Sequence, residues 1–151
     1  MDETAAFLAE VLPQVQEADT ALHSGDARGR IAMWSQDEPV TLFGAAVTNK
    51  GWTDIRTTFE WLATTFSNCE SFTIDVLAAG ASGDLAYLAA IERTTTSVNG
   101  SPPSAYALRV TTVFRRENGA WKVAHRHGDP LTDDAAAIDR LRRLAHEAGG
   151  R

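Results

Sequence analysis

The sequence predicts an α+β fold rather than an alternating α/β one, and three observations predict it. Apolar residues recur at helical intervals up to about Ser67 and again from Asp133 onward. Between these lie four segments rich in Val, Thr, Tyr and Phe. The junctions between those segments, GASGD, NGSPP and NG, are short and turn-like, so consecutive strands are expected as antiparallel neighbours in a meander.

From Glu3 to Ala21, Phe7, Val11, Leu12, Val15 and Ala18 recur at helical spacing, with Pro13 a candidate kink and Gly25 closing the run. Ser24 or Asp26 can cap a short second helix from Ala27 to Trp34, and Pro39 separates that helix from the next segment. PVTLFGAAVT reads as one strand interrupted at Gly44. After the Lys50-Gly51 turn, Thr53 or Asp54 can cap a third helix whose Ile55, Phe59, Leu62, Ala63 and Phe66 share a face. Four strands are expected over Glu70 to Ala79, Asp84 to Ser97, Ser104 to Glu117 and Ala120 to Gly128. A terminal helix from Asp133 to Ala148 carries Ile138, Leu141 and Leu144.

Composition narrows the function classes. The 151 residues suit a single domain, residues 1–151, and 44% hydrophobic with 23% charged content is that of an ordinary soluble chain. Twenty acidic and fourteen basic residues, with no dense Lys/Arg run, argue against a nucleic-acid partner. The N-terminus begins with acidic residues and no apolar run approaches the ~18 residues of a membrane span, so a cytoplasmic protein is expected. Cys69 is the only cysteine, which rules out an internal disulfide and a thiolate zinc site by counting.

The stretch WKVAHRHGDP holds the densest chemistry. Alternation puts Trp121, Val123, His125 and His127 on one face of the last strand and Lys122, Ala124 and Arg126 on the other. If Asn118-Gly119 is a two-residue turn, Phe114 faces Val123, Thr112 faces His125 and Val110 faces His127. A turn centred between Gly100 and Ser101 sets Tyr87 opposite Phe114 and Glu92 opposite Arg109. Both histidines then point inward with Tyr87 and Thr112, while Glu92, Arg109 and Arg126 share the outer, charged face. One step of slip exchanges the sets and makes Glu92, Arg109 and Arg126 the inward candidates.

His125, His127 and Asp129 match the H-x-H-x-D opening of the metallo-β-lactamase motif, but Pro130 stands where a further histidine belongs. A cupin motif fails as well, because Leu131 and Thr132 occupy the place of its glutamate. Two histidines do not make a metal site of three or four ligands, so no metal and no cofactor is expected.

The long helix, LHSGD, the strand near VTLFG, KGWTDIRTTFEWL and the ending RVTTVFRRENGAWKVAHRHGDP together resemble the SnoaL-like branch of the nuclear transport factor 2-like superfamily, the ketosteroid-isomerase-like fold. The resemblance covers nearly the whole chain. It implies a cone, a strongly curved antiparallel sheet wrapped around the N-terminal helices, with a mainly apolar internal pocket and homodimerisation through the sheet. It does not name a reaction, since the fold serves isomerases, dehydratases, cyclases, hydrolases and assembly domains. Laid over the steroid-isomerase pattern, the chain has Ala18 in place of the helix tyrosine, Phe43 near the base and Thr111 or Val113 near the sheet acid. That acid–base set is absent.

The resemblance and the face assignment together imply a pocket walled by Trp34, Phe43, Tyr87 and Thr112 that takes a small apolar molecule. His127 or His125 is the expected acid or base for proton transfer on a carbonyl compound, cyclase-, isomerase- or dehydratase-like in kind. The alternative is a module that binds a ligand, or assembles with itself, without catalysis.

Overall fold

The computed structural model describes residues 2–44 and 46–131, so the terminal helix expected from Asp133 to Ala148 lies outside the described residues. Helix α1 spans Glu3–Leu22, and the Asp2 carboxylate accepts a hydrogen bond from the Ala5 N–H at 2.7 Å to cap it. Pro13 sits inside this helix without ending it. Phe7, Val11, Val15, Ala18 and Leu22 form its buried stripe. Helix α2 is Arg28–Met33; its N-cap is Ala27 with no side-chain cap, so neither Ser24 nor Asp26 caps it, although the Asp26 carboxylate accepts from the Arg28 N–H at 3.0 Å.

The single strand expected over PVTLFGAAVT is instead a small hairpin. Strands β1 (Thr41–Phe43) and β2 (Thr48–Lys50) pair antiparallel, and the Gly44 N–H donates to the Val47 carbonyl at 2.9 Å. Helix α3, Trp52–Thr65, is capped by neither Thr53 nor Asp54. Gly51 takes a φ of 95°, which leads the chain into the helix, and Glu38 accepts from the Trp52 N–H at 2.8 Å across the intervening hairpin. A cap supplied from 14 residues away has no local signature.

Four long strands complete the sheet: β3 (Phe66–Ser82), β4 (Leu85–Val98), β5 (Ser104–Glu117) and β6 (Ala120–Pro130). They form the expected meander within one curved, unclosed sheet ordered β2-β1-β6-β5-β4-β3, against which the helices pack. Neighbours are antiparallel except for β1 and β6, which run parallel. The core lies between the concave face of the sheet and the helices. Fully buried Phe7 turns its ring edge-on to Phe114 at 5.0 Å and to Trp121 at 5.3 Å. None of the described helices is long and apolar enough to cross a membrane.

The register corrects the face assignment. Asn118-Gly119 is the two-residue turn expected, both residues at positive φ, with Glu117 opposite Ala120 and Phe114 opposite Val123. At Ala124, however, β6 bulges. The next pair is Val113 with His125, then Thr112 with Arg126 and Thr111 with His127. One extra residue reverses the parity of everything beyond it. His125 and His127 therefore stand on the convex face, and Arg126 turns inward.

A second shift acts between β4 and β5. Asn99-Gly100 makes a tight turn, the Ser101 N–H donating to the Val98 carbonyl at 3.1 Å, and Pro102 and Pro103 have no N–H to offer the ladder. Pairing resumes with Thr96 opposite Ser104, which sets Tyr87 against Val113 and Glu92 against Leu108. Tyr87 thus lies half exposed on the convex face, over Gly80, where even a Cβ would come within 2.7 Å of its ring. Ala86, Leu88, Ala90, Glu92, Thr94 and Thr96 face the core in its place.

Truncating Phe7 to Ala removes the ring that both Phe114 and Trp121 pack on, and should cost about 3–5 kcal/mol. Equilibrium urea unfolding of Phe7→Ala, with an unchanged slope in denaturant, checks this.

Candidate functional site

A cavity of about 350 Å³ opens between the concave face of the sheet, helix α3 and the β1–β2 hairpin. Its walls are largely apolar, with Leu42, Val47, Phe59, Leu62 and Leu108 lining the interior and Trp61, 55% exposed, among the lining residues. The polar groups reaching it are His23, Arg30, Thr58, Tyr106 and Arg126. An apolar cavity with a few convergent polar groups is the general form of a small-molecule site.

His23 ends α1. Its Nδ1 lies 2.7 Å from the Asp19 carbonyl, which can only accept, so this nitrogen carries the proton. Nε2 is then an acceptor, and the Tyr106 hydroxyl donates to it in a short contact. The imidazole packs on the Phe66 ring, centroids 4.5 Å apart, and the Thr96 hydroxyl donates to the His23 carbonyl at 2.8 Å. Burial pulls the His23 pKa below its usual value, Arg30 adding to the effect, and pushes the Tyr106 pKa up. Both groups are neutral at pH 7.

Behind this pair lie four charges. Asp19 interrupts the apolar stripe of α1 and pairs with Arg30 of α2, both side chains almost wholly enclosed. Glu92 of β4 is 4% exposed and accepts two hydrogen bonds from Arg126, at 2.8 and 2.9 Å, in a forked pair. Burial raises the Asp19 pKa beyond what the attraction of Arg30 can offset. Burial opposes ionisation of Glu92 too, yet the charge and hydrogen bonds of Arg126, with Arg30 beyond it, hold its pKa below the usual glutamate value. Arg126 stays protonated, since Glu92 outweighs the cost of burying it.

Of the residues expected in the pocket, none of Trp34, Phe43, Tyr87, Thr112, His125 and His127 lines this cavity. Trp34 and Thr112 are buried beside it, around a smaller void, and Trp34 meets Phe59 edge-on at 5.4 Å. His125, whose Nδ1 lies 2.7 Å from the Thr41 hydroxyl, and His127 flank the ring of Phe43, 5.1 and 5.6 Å away. The alternative inward set holds for Glu92 and Arg126 but not for Arg109. Arg109 lies opposite Asp129 on the convex face and forms a forked, solvent-exposed pair with it at 2.7 and 3.0 Å.

Asp19, His23, Arg30 and Tyr106 are not among the residues that the sequence singles out. For Asp19 a signal exists: a carboxylate at the stripe position between Val15 and Leu22. For Tyr106 none exists, because its partner stands 83 residues away in the chain. Among the described residues no three His, Cys, Asp or Glu side chains come together as metal ligands do.

Comparison with known proteins agrees with this fold. The SnoaL-like domain family profile matches residues 11–132. An NTF2-like protein of unknown function from Pseudomonas putida superposes with a TM-score of 0.65 at 22% identity, covering 88% of this chain and 92% of that one. A dehydratase candidate of the NTF2-like family from Streptomyces avermitilis gives 0.61 at 20% identity, covering 80% and 96%. A candidate calcium/calmodulin-dependent protein kinase II association domain from Xanthomonas campestris gives 0.60 at 16%, covering 87% and 91%. At such identities the likeness shows the fold alone. No curated protein matches the chain.

Two measurements test the site's electrostatics. Glu92→Ala strands the buried Arg126 charge and should cost about 3–5 kcal/mol, whereas Arg109→Ala, on the exposed pair, should stay within about 1 kcal/mol. The lowered pKa of His23 sets a sign as well. Its contribution to stability is fully present above the unfolded value near 6.5 and is lost as pH falls toward the folded value. Between pH 7 and 5, the stability of the parent relative to His23→Gln should therefore fall, by at most about 1.4 kcal/mol per pH unit.

Proposed function

The chain belongs to the SnoaL-like domain family, and from that premise we propose that it binds a small, mainly apolar carbonyl compound in the 350 Å³ cavity and moves a proton on it. The observation that carries this reading is the His23–Tyr106 pair, with His23 buried, Tyr106 half-buried and the imidazole tautomer set by the Asp19 carbonyl, at the edge of an otherwise apolar space.

In the resting pair the proton stays on Tyr106, since burial lowers the His23 pKa and raises that of Tyr106. As a carbon acid beside the ligand carbonyl gives its proton to the Tyr106 oxygen, the proton of Tyr106 passes to His23 Nε2. The products are a neutral tyrosine, an imidazolium and an enolate. Arg126 and Arg30, which also line the cavity, face the negative charge that develops. Return of the proton at another carbon gives isomerisation, and loss of a β-substituent gives dehydration. His125 and His127, expected in this role from the sequence, stand on the other side of the sheet.

A second reading is favoured by the convex face, where Leu85 and Tyr87 are exposed, with Leu77 exposed at a bulge of the neighbouring strand. Apolar side chains left in water on a sheet suit self-association, and homodimerisation through this face is compatible with a cavity on the opposite side.

Deuterium exchange at the carbon next to the carbonyl of small cyclic ketones, monitored by NMR in D₂O, tests the first reading. Tyr106→Phe and His23→Gln should each slow exchange by about 10²–10⁴-fold while leaving ligand affinity within a few-fold. Ligand binding without exchange across the ketone panel sinks the catalytic reading and leaves a binding module. For the second reading, light scattering should give a dimer mass that Leu85→Asp/Tyr87→Asp halves; a monomer in the parent chain refutes it.

A further inference from the structure

We infer that the cavity takes a small, largely apolar carboxylate whose head group is held by Arg30 and Arg126. This rests on the reading of the cavity as a ligand site and specifies the chemistry of its occupant.

The arrangement of two voids supports it. Beside the cavity lies a second, water-sized void of about 20 Å³. Arg30 and Arg126 line both spaces, Asp19 and Glu92 line only the small one, and among the described residues no Asp or Glu lines the large one. Each guanidinium therefore stands between its own carboxylate and the ligand space. The two ion pairs turn their positive ends toward the cavity.

Donor counting points the same way. A guanidinium has five N–H donors. Arg126 gives one each from Nη1 and Nη2 to Glu92, and Arg30 gives one from Nη2 to Asp19. Among the described residues the one enclosed side-chain N or O atom without a partner is Arg115 Nε, which lines neither void. Nε and Nη1 of Arg30 and Nε of Arg126, which have no partner among the described residues, are thus not sealed inside protein, and both side chains line the two voids.

A carboxylate placed there receives charge-assisted hydrogen bonds among apolar walls, where they are stronger than in water. A cationic ligand meets two guanidinium groups and, among the described residues, no compensating acid in the cavity wall. Because each arginine is already partly neutralised from behind, the floor suits one negative charge better than the two of a phosphate monoester. His23 and Tyr106, both neutral, add no repulsion, while Leu42, Phe59, Leu62 and Leu108 take the apolar body.

Calorimetric titration of the full chain with matched pairs tests this: phenylacetate and phenylacetamide, 2-naphthylacetate and 2-naphthylacetamide, octanoate and octanamide, with 2-phenylethylammonium as the cation. Each acid should bind at least about tenfold more tightly than its amide, the cation should not bind, and the advantage should shrink as sodium chloride is raised. The double variant Asp19→Leu/Arg30→Met removes one ion pair as a unit, so no charge is stranded. It should keep amide affinity and lose most of the acid's advantage. Amides that bind as tightly as acids overturn the inference and leave the cavity a site for neutral ligands. If no compound binds and Trp61 fluorescence does not respond, the cavity reading falls together with the inference.

Discussion

The forked pair between Glu92 and Arg126 is the interaction around which the concave side of this sheet is organised. Neither residue would be tolerated at a buried sheet position alone, because an unpaired charge there costs several kcal/mol. Together, from β4 and β6 across the intervening β5, they hold the register that the bulge at Ala124 creates. The bulge and the ion pair are mutually dependent. Without the bulge Arg126 faces solvent and Glu92 is stranded; without Glu92 nothing offsets the burial of Arg126. Asp19 and Arg30 repeat the arrangement from the helical side, so sheet and helices meet at four charges of alternating sign as well as at the aromatic cluster around Phe7.

This meeting of layers also makes the cavity. Helix α1 ends at His23 with its ring turned toward β5, and α3 lies far enough from the sheet to leave apolar walls without filling the space between them. The polar groups arrive from five elements: His23 at the end of α1, Arg30 on α2, Thr58 on α3, Tyr106 on β5 and Arg126 on β6. A set assembled in that way is held rigidly by the layers that carry it, which is the condition for a preorganised site. The same geometry leaves His125, His127 and Phe43 as an aromatic group on the convex face, away from the cavity.

How much of this was legible varied with the range of the interaction responsible. The order of the described helices and strands apart from the β1–β2 hairpin, the meander and the Asn118-Gly119 turn were readable, since each depends on residues within a few positions of one another. The faces of β6 were not. Alternation assigns parity correctly up to Val123, and a single unpaired alanine then inverts it for His125, Arg126 and His127. Nothing about Ala124 itself marks a bulge; what selects it is the benefit of bringing Arg126 to Glu92. Tyr87 changes face for a related reason, as the two prolines after Asn99-Gly100 displace the β4–β5 pairing by one residue.

By itself the sequence determined the fold class and the family resemblance and, with one cysteine, excluded an internal disulfide, because these depend on residue types, their counts and their local periodicity. Only the tertiary structure decided which histidine meets the cavity and which arginine is buried. Those outcomes depend on strand register, and register is chosen by the sum of contacts across the sheet, where one inserted residue exchanges the two faces at little local cost. His23, an inconspicuous residue at the end of a helix, becomes the candidate catalytic group, while the conspicuous pair in WKVAHRHGDP turns to the outside.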